Sequence, residues 1–163
     1  MHKVTKAITH HGLAVLRFNF RGVGASTGEW SGGAGEVEDV GAAIAAAHQR
    51  FGSEVGVAGW SFGAATALRW QAETGSSATY VGIAPPVADE LTPTLPSPAE
   101  LSPGRRLFIL GDRDQFVTTE QLESYATSIG AGFEVMAGSD HFFNLREQIV
   151  GDRLAGFVLS GSQ

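Results

Sequence analysis

Gly59-Trp60-Ser61-Phe62-Gly63 separates an apolar strand-like run from a helix-forming run that begins directly after it. A serine between two glycines at such a strand-to-helix turn is typical of a nucleophile elbow, which holds the hydroxyl clear of neighbouring side chains. Glycine at positions 59 and 63 removes Cβ atoms that a tight turn would force together. The Phe62 N–H, at the start of the helix, is placed to face a developing oxyanion. The pentapeptide therefore predicts Ser61 as nucleophile, Gly59 and Gly63 as elbow glycines and Phe62 as oxyanion donor.

The nucleophile needs a general base, and His141 is the only histidine that follows Ser61 in the chain. It comes after a strand-like run at residues 133–136 and a short Ala-Gly-Ser-Asp loop. In a sheet of this kind the nucleophile, the acid and the base follow in that order, at the carboxyl ends of strands. His141 is therefore predicted to be the base. The other histidines precede the elbow in helical stretches, where surface positions are expected.

Two carboxylates compete for the role of the acid that orients His141. Both follow residues 107–110, the strongest buried-strand signal in the chain. Asp112 comes first, where a short acid commonly holds a turn by accepting backbone N–H groups. Asp114 lies further along the loop, from which its carboxylate could reach Nδ1 of the imidazole. Asp114 is the preferred acid and Asp112 the turn residue, whereas Asp140 adjoins His141 and is expected to point away from it.

Apolar runs without alternation and one-sided helical patterns follow each other along the chain. Strands are predicted over residues 14–20, 54–58, 79–84, 106–110 and 133–136, and helices over residues 3–10, 36–50, 64–73, 119–129 and 145–158. Strands that are apolar on both faces indicate a parallel sheet covered on both sides. The sequence therefore predicts one α/β domain over residues 1–163, a three-layer sandwich whose mostly parallel sheet has about five strands. The segment 84–103 is predicted to be a rim or lid, or a plain surface loop.

Composition and charge exclude several classes of function. A chain of 163 residues with 43% hydrophobic content suits one globular domain. The absence of cysteine excludes disulfides, thiolate metal sites and a cysteine nucleophile. The formal net charge of −6 disfavours a nucleic-acid partner. Without a signal segment or a long apolar run, we expect a cytoplasmic protein that needs no membrane, metal or cofactor. The oligomeric state is left open.

Arg21 is a candidate ligand for an anionic substrate. Glu36 and Asp39 lie in the first turn of the next predicted helix, where acidic side chains are favoured. We expect one or both of them to pair with Arg21 and so to occupy it.

Several blocks of the sequence together resemble the α/β-hydrolase superfamily, and within it a group of small bacterial hydrolases. The matching blocks are residues 16–26, 33–36 with Asp39, 58–63, 83–87, 111–117 and 140–143, which span nearly the whole chain in order. By this resemblance Ser61, Asp114 and His141 match the nucleophile, acid and base of the family. The resemblance implies a cofactor-free serine esterase or acyl hydrolase that acts on a small ester or related acyl substrate.

The same resemblance implies that N-terminal strands of the family are lacking here. Relatives place two or three strands before the stretch that Met1 to Val4 resembles, and the loop after the third supplies a second oxyanion donor. In the family's order that strand lies between the strand ending at Phe20 and the strand ending at Ala58. These two are expected either to close up or to lose partners. A catalytically weak or inactive hydrolase-like fragment, acting as a binding module, is therefore the alternative function.

Overall fold

Helices and strands alternate along the chain in the computed structural model, which describes residues 2–52, 55–87 and 92–161. The helices are α1 (His2–His10), α2 (Ala34–Phe51), α3 (Phe62–Thr74), α4 (Thr119–Ser128) and α5 (Glu147–Leu159), and a 3₁₀ turn covers Pro98–Glu100. The strands are β1 (Val57–Trp60), β2 (Tyr80–Ile83), β3 (Arg106–Gly111) and β4 (Gly132–Met136). All the predicted helices are present, and their ends differ from the predicted ones by at most two residues.

Local sequence signals explain several of these boundaries. The Thr118 hydroxyl accepts the Gln121 N–H at 3.2 Å, and the Gln121 side chain accepts the Thr118 N–H at 3.0 Å. This reciprocal capping box satisfies N–H groups that have no acceptor within the first turn of α4. At the carboxyl end of a different helix, α3, Gly75 adopts the left-handed conformation (φ 66°) that glycine allows at a helix end.

The sheet is parallel throughout its described part, with strand order β1-β2-β3-β4. Connections between neighbouring parallel strands are right-handed in nearly all proteins, which places α3 and α4 on the same face. On that face the Tyr80 hydroxyl donates to the Ala64 carbonyl in α3 at 2.8 Å. The Phe108 ring packs edge-on against Tyr125 of α4, with centroids 5.8 Å apart. The predicted parallel sheet is confirmed.

The opposite face of the sheet is buried as well. Val81 and Ile109 point away from α3 and α4 because side chains alternate along a strand, and both are fully buried. Helices α1 and α5 pack on each other, and Val4 and Val150 from them belong to the same core cluster. The sheet is therefore the middle of three layers, as the sequence predicted.

The prediction that residues 14–20 form the first strand of the sheet is wrong. Residues 13–20 have no assigned secondary structure, although Leu13 and Phe20 pack against the core. In the described part of the chain β1 pairs with β2 alone, so it is an edge strand. A strand requires a neighbour for its N–H and C=O groups, and these two runs have not closed up against each other. The described sheet therefore has four strands instead of about five.

Two further predictions touch undescribed residues. The predicted strand at 54–58 begins at residue 54, outside the described ranges, and the described strand is β1. The segment 84–103 includes residues 88–91, which also lie outside them. Within its described part, Arg69 of α3 donates to the Thr94 carbonyl at 2.6 Å and the Tyr125 hydroxyl donates to the Pro96 carbonyl at 2.8 Å. These bonds hold residues 94–96 against α3 and α4, as expected of a surface loop in this described part of the segment.

Candidate active site

Ser61 occupies a strained turn between β1 and α3. Its φ of 51° and ψ of −122° lie outside the regions that non-glycine residues normally populate. The Ser61 N–H donates to the Ile83 carbonyl at 2.8 Å, and its carbonyl accepts the N–H groups of Ala64 at 2.9 Å and Ala65 at 3.2 Å. Hydrogen bonds on both sides thus hold a conformation that a free serine would leave.

The two elbow glycines stand in different surroundings. A Cβ at Gly59 would clash with the main chain of Gly63 and Ala64. A Cβ at Gly63 would have its nearest neighbour in the Phe20 ring, at an ordinary 3.8 Å, and Gly63 has no left-handed φ. Space therefore requires glycine at position 59 and leaves room for a methyl group at position 63.

Phe62 is the first residue of α3, so its N–H has no acceptor within the helix. No acceptor for it is recorded elsewhere in the described main chain. Its ring packs edge-on against Phe20, with centroids 5.4 Å apart. The Phe62 N–H therefore stands at the positive end of the helix dipole, one residue after Ser61.

Asp114 and His141 form a buried pair on the loops that follow β3 and β4. Asp114 Oδ2 lies 2.8 Å from His141 Nδ1, and the two side chains are 0% and 5% exposed. The other oxygen, Asp114 Oδ1, accepts the N–H groups of Phe116 at 2.8 Å and Val117 at 3.1 Å. Because a carboxylate only accepts hydrogen bonds, this geometry assigns a proton to Nδ1 and leaves Nε2 as the basic nitrogen.

The other two nearby acids make different contacts. Asp112 Oδ1 accepts the Gly138 N–H at 2.6 Å and so ties the loop after β3 to the loop after β4. Asp140 Oδ1 accepts the Phe142 N–H at 3.1 Å, and Asp140 Oδ2 accepts the Asn144 side-chain amide at 3.2 Å. Of the three carboxylates it is Asp114 that contacts the imidazole.

Trp60 is a contributor that the sequence reasoning missed, although it lies inside the pentapeptide. Its indole Nε1 donates to the His141 main-chain carbonyl at 3.1 Å. Its ring packs edge-on against the fully buried Phe143, with centroids 5.4 Å apart.

Within the described ranges the Ser61 hydroxyl makes no hydrogen bond. The structure thus brings Asp114 and His141 into direct contact and links the elbow to them through Trp60.

Arg21 is occupied by acidic partners, as expected, but not by Glu36. Its backbone N–H, Nε and Nη2 all donate to Asp39, the shortest contact being 2.8 Å, and Nη2 also reaches Glu38 at 3.1 Å. The hydrogen bonds from Arg21 hold the pKa of Asp39 below its ordinary value. This arrangement leaves little of the guanidinium for an anionic substrate.

Glu36 instead organises the start of α2. It is fully buried, and its carboxylate accepts the Ser31 N–H at 3.0 Å, the Ser31 hydroxyl at 2.8 Å and the Gly33 N–H at 2.8 Å. Burial alone would raise the pKa of Glu36, but the hydrogen bonds from Ser31 and Gly33 outweigh it and lower that pKa. The loop before α2 is therefore folded around a buried carboxylate.

Neither the surface depressions nor the arrangement of metal-ligating side chains indicates a different site in the described residues. Two depressions, of about 320 and 360 Å³, are lined by neither Ser61 nor Asp114 nor His141. The described ranges contain no group of three His, Cys, Asp or Glu side chains that could hold a metal ion. Over the same ranges, no helix is both long enough and apolar enough to cross a bilayer.

The parallel sheet, the strained serine after β1 and the Asp-His pair, all at the carboxyl ends of the strands, define the class of protein, an α/β hydrolase of the serine hydrolase type. The sequence model of the serine aminopeptidase S33 family matches residues 1–108, and the chain belongs to this family.

Individual relatives agree with this assignment. A solved α/β serine hydrolase homologue from Coxiella burnetii is 32% identical with a TM-score of 0.80, over 94% of this chain and 73% of that one. An α/β serine hydrolase without a lid from Xanthomonas campestris is 28% identical with a TM-score of 0.81, over 98% of this chain and 72% of that one. An uncharacterized protein of Rickettsia prowazekii (strain Madrid E) is 31% identical over 91% of this chain. The chain spans 66% of the length of that Rickettsia relative.

Proposed function

We propose that this protein is a carboxylic ester hydrolase in which Ser61 is the nucleophile, His141 the general base and Asp114 the orienting acid. One observation carries the proposal. A buried carboxylate and imidazole, 2.8 Å apart, lie at the carboxyl ends of the strands, as does a serine held in a strained turn. Strain of this kind is kept where surrounding hydrogen bonds over-determine it, and it clusters at reactive sites.

Acylation would proceed from the nitrogen that Asp114 leaves free. Ser61 Oγ attacks the ester carbonyl carbon while His141 Nε2 takes the hydroxyl proton. The carbonyl oxygen becomes an oxyanion, which accepts a hydrogen bond from the Phe62 N–H. When the tetrahedral intermediate collapses, the bond to the alcohol oxygen breaks and His141 returns the proton to that oxygen. A water molecule, deprotonated by Nε2, then attacks the acyl carbon of the acyl-serine. The bond between this carbon and Ser61 Oγ breaks, Nε2 returns the proton to Oγ, and the carboxylic acid is released.

Asp114 would act through His141 and not on the substrate. Its carboxylate fixes the tautomer with a proton on Nδ1 and stabilises the imidazolium that forms during each half-reaction. The two backbone N–H groups on Oδ1 hold the carboxylate in that orientation. Asp114 therefore positions the base and does not itself contact the reacting atoms.

Esters are the substrate class that the site supports best. The family to which the chain belongs is named for serine aminopeptidases, and an aminopeptidase cleaves an amide through the same acyl chemistry. An alcohol leaves more readily than an amine, and Phe62 is the single backbone donor that we assign to the oxyanion in the described residues. A small ester therefore fits this site better than a peptide, and its hydrolysis here would need no cofactor.

We further infer a cytoplasmic location, without nucleic-acid or membrane partners, from the charge and composition.

A fluorophosphonate probe tests the proposal directly, because it modifies only an activated serine. We expect labelling at Ser61, identified by peptide mass mapping, and none in Ser61→Ala. Ser128→Ala, which removes an exposed hydroxyl on α4, is the matched control and should label like the wild type. A folded wild-type chain that stays unlabelled would overturn the proposal.

The alternative is a catalytically weak or inactive hydrolase-like binding module. Two observations favour it: β1 is an edge strand in the described sheet, and the Ser61 hydroxyl has no recorded partner in the described ranges. An edge strand is held less firmly than a central one, and it carries the nucleophile. Saturable binding of an ester, measured by calorimetry without hydrolysis or fluorophosphonate labelling, would favour this alternative.

A further inference from the structure

Two exposed phenylalanine rings flank the imidazole of His141. Phe116 is 65% exposed and its ring centroid lies 4.8 Å from that of His141, while Phe142 is 54% exposed and lies at 5.4 Å. Both contacts are edge-on, with interplanar angles of 80° and 85°. Each ring therefore presents a large apolar surface to solvent beside the proposed base.

Both rings are carried on loops that hydrogen bonds hold in place. The Phe116 N–H donates to Asp114 Oδ1 at 2.8 Å, and the Phe142 N–H donates to Asp140 Oδ1 at 3.1 Å. One of these acceptors is the same carboxylate that binds His141. The main-chain positions that carry the two rings are consequently held beside the imidazole.

The nitrogen of His141 that protonates the leaving group determines which part of an ester would contact these rings. Because Asp114 occupies Nδ1, it is Nε2 that must protonate the departing alcohol oxygen, and that oxygen must come within about 3 Å of Nε2. The carbon substituent on this oxygen then lies within van der Waals reach of groups that surround the imidazole. The acyl carbonyl, in contrast, lies at Ser61 and the Phe62 N–H.

We propose that Phe116 and Phe142 form an aromatic subsite for the alcohol portion of the ester, and that the protein prefers esters of aromatic alcohols. This inference rests on the proposed function, since it assumes that His141 protonates the leaving group. Aromatic rings gain from edge-to-face contact beyond the area they bury, so an aryl substituent is the ligand that best matches two exposed rings. The rings act by binding and specificity, while the bond-breaking step remains with Ser61 and His141.

The test compares two acetate esters that differ in the alcohol alone. Benzyl acetate carries an aromatic alcohol, and 2-methoxyethyl acetate carries a polar one of similar acidity, so both have the same acyl group and similar leaving-group reactivity. In the double variant Phe116→Ala/Phe142→Ala we expect the ratio of kcat/KM for benzyl acetate to that for 2-methoxyethyl acetate to fall about tenfold. Inhibition by benzyl alcohol should weaken by a similar factor.

Phe51→Ala is the matched control. Phe51 is also an exposed phenylalanine, but it ends α2, the helix that precedes β1. It therefore lies toward the amino end of β1, whereas Ser61 follows the carboxyl end. Its removal should leave the ester ratio within about twofold of the wild type. The single variants Phe116→Ala and Phe142→Ala, each expected to lower the ratio about threefold, keep the test available if the double variant does not fold.

Fluorophosphonate labelling separates failure of the subsite from failure of the proposed function, because the probe expels fluoride and contains no alcohol ring. If Ser61 is labelled in the wild type and in the double variant but the ester ratio is unchanged, the subsite is wrong and the hydrolase proposal stands. If the folded wild type is not labelled, both are wrong. A tenfold fall with labelling retained supports the subsite.

Discussion

The indole Nε1 of Trp60 donates to the main-chain carbonyl of His141, a residue 81 positions away in the sequence. Trp60 ends β1 and His141 follows β4, strands at opposite edges of the described sheet and so roughly 14 Å apart at the strand spacing of 4.7–4.9 Å. The loop after β4 must therefore cross the ends of the strands between them. Its path is tight at Gly111, where a Cβ would clash with the main chain of Ser139.

Replacing Trp60 by phenylalanine should loosen this link. The aromatic contact with Phe143 is retained in kind, but the hydrogen bond to His141 is lost, at about 1 kcal/mol of unfolding free energy. A displaced imidazole should lower kcat/KM for p-nitrophenyl acetate by about tenfold. Trp70→Phe on α3 is the control, because its indole N–H has no acceptor among the described residues. Equal activity losses in the two variants would contradict the positioning role.

Asp114→Asn should lower kcat by about 10³–10⁴, because an amide at this position favours the wrong tautomer of His141. Asp112→Asn retains an oxygen that is able to accept the Gly138 N–H, so it should act mainly on the melting temperature. Steady-state rates on p-nitrophenyl acetate, with folding checked by circular dichroism, distinguish the two. Comparable catalytic losses in both folded variants would show that the acid is assigned wrongly.

Substitutions at the elbow glycines should differ sharply. Gly59→Ala forces a Cβ into the main chain of Gly63 and Ala64, so we expect loss of cooperative unfolding or at least about 3 kcal/mol of unfolding free energy. Gly63→Ala meets only the Phe20 ring, at 3.8 Å, and adds a better helix former to α3. Urea denaturation measures both. A Gly63→Ala variant as damaged as Gly59→Ala would mean that the turn is tighter than the structure shows.

Acid should weaken the loop around Glu36. Its pKa is lower in the folded chain than in the unfolded one, so its contribution to stability is present above the ordinary carboxyl pKa and is lost as the pH falls below it. The advantage of the wild type over Glu36→Gln in melting temperature should therefore be largest near pH 7 and shrink between about pH 5 and pH 3. Glu38→Gln, two residues away with its side chain exposed, is the control and should change the melting temperature only slightly. A constant difference for Glu36→Gln would refute this role.

The helices and the strands β2, β3 and β4 could be predicted because their signals are local. Thr118 and Gln121 mark the start of α4, and apolar runs mark β2, β3 and β4, whatever the rest of the chain does. The run at residues 14–20 is also mostly apolar, although it includes Arg17 and Asn19, and yet it forms no strand. Hydrogen bonding in a sheet depends on a neighbouring strand, which a run of residues does not specify by itself.

For the candidate site, the sequence alone determined the chemical inventory and its order: a serine in a strand-to-helix turn, then acids after one strand and a single later histidine. It also determined that a helix begins directly after Ser61, so that the Phe62 N–H is free of intrahelical partners. These properties depend on residues close together in the chain.

Tertiary structure alone decided which groups touch. That Asp114 reaches His141 while Asp112 binds Gly138, and that Trp60 holds the base loop, depends on how far two loops travel across the sheet edge. The exposed ring of Phe116 beside the imidazole is a contact of the same kind. A distance of 2.8 Å between side chains far apart in sequence results from the packing of every element between them, and no local pattern records it.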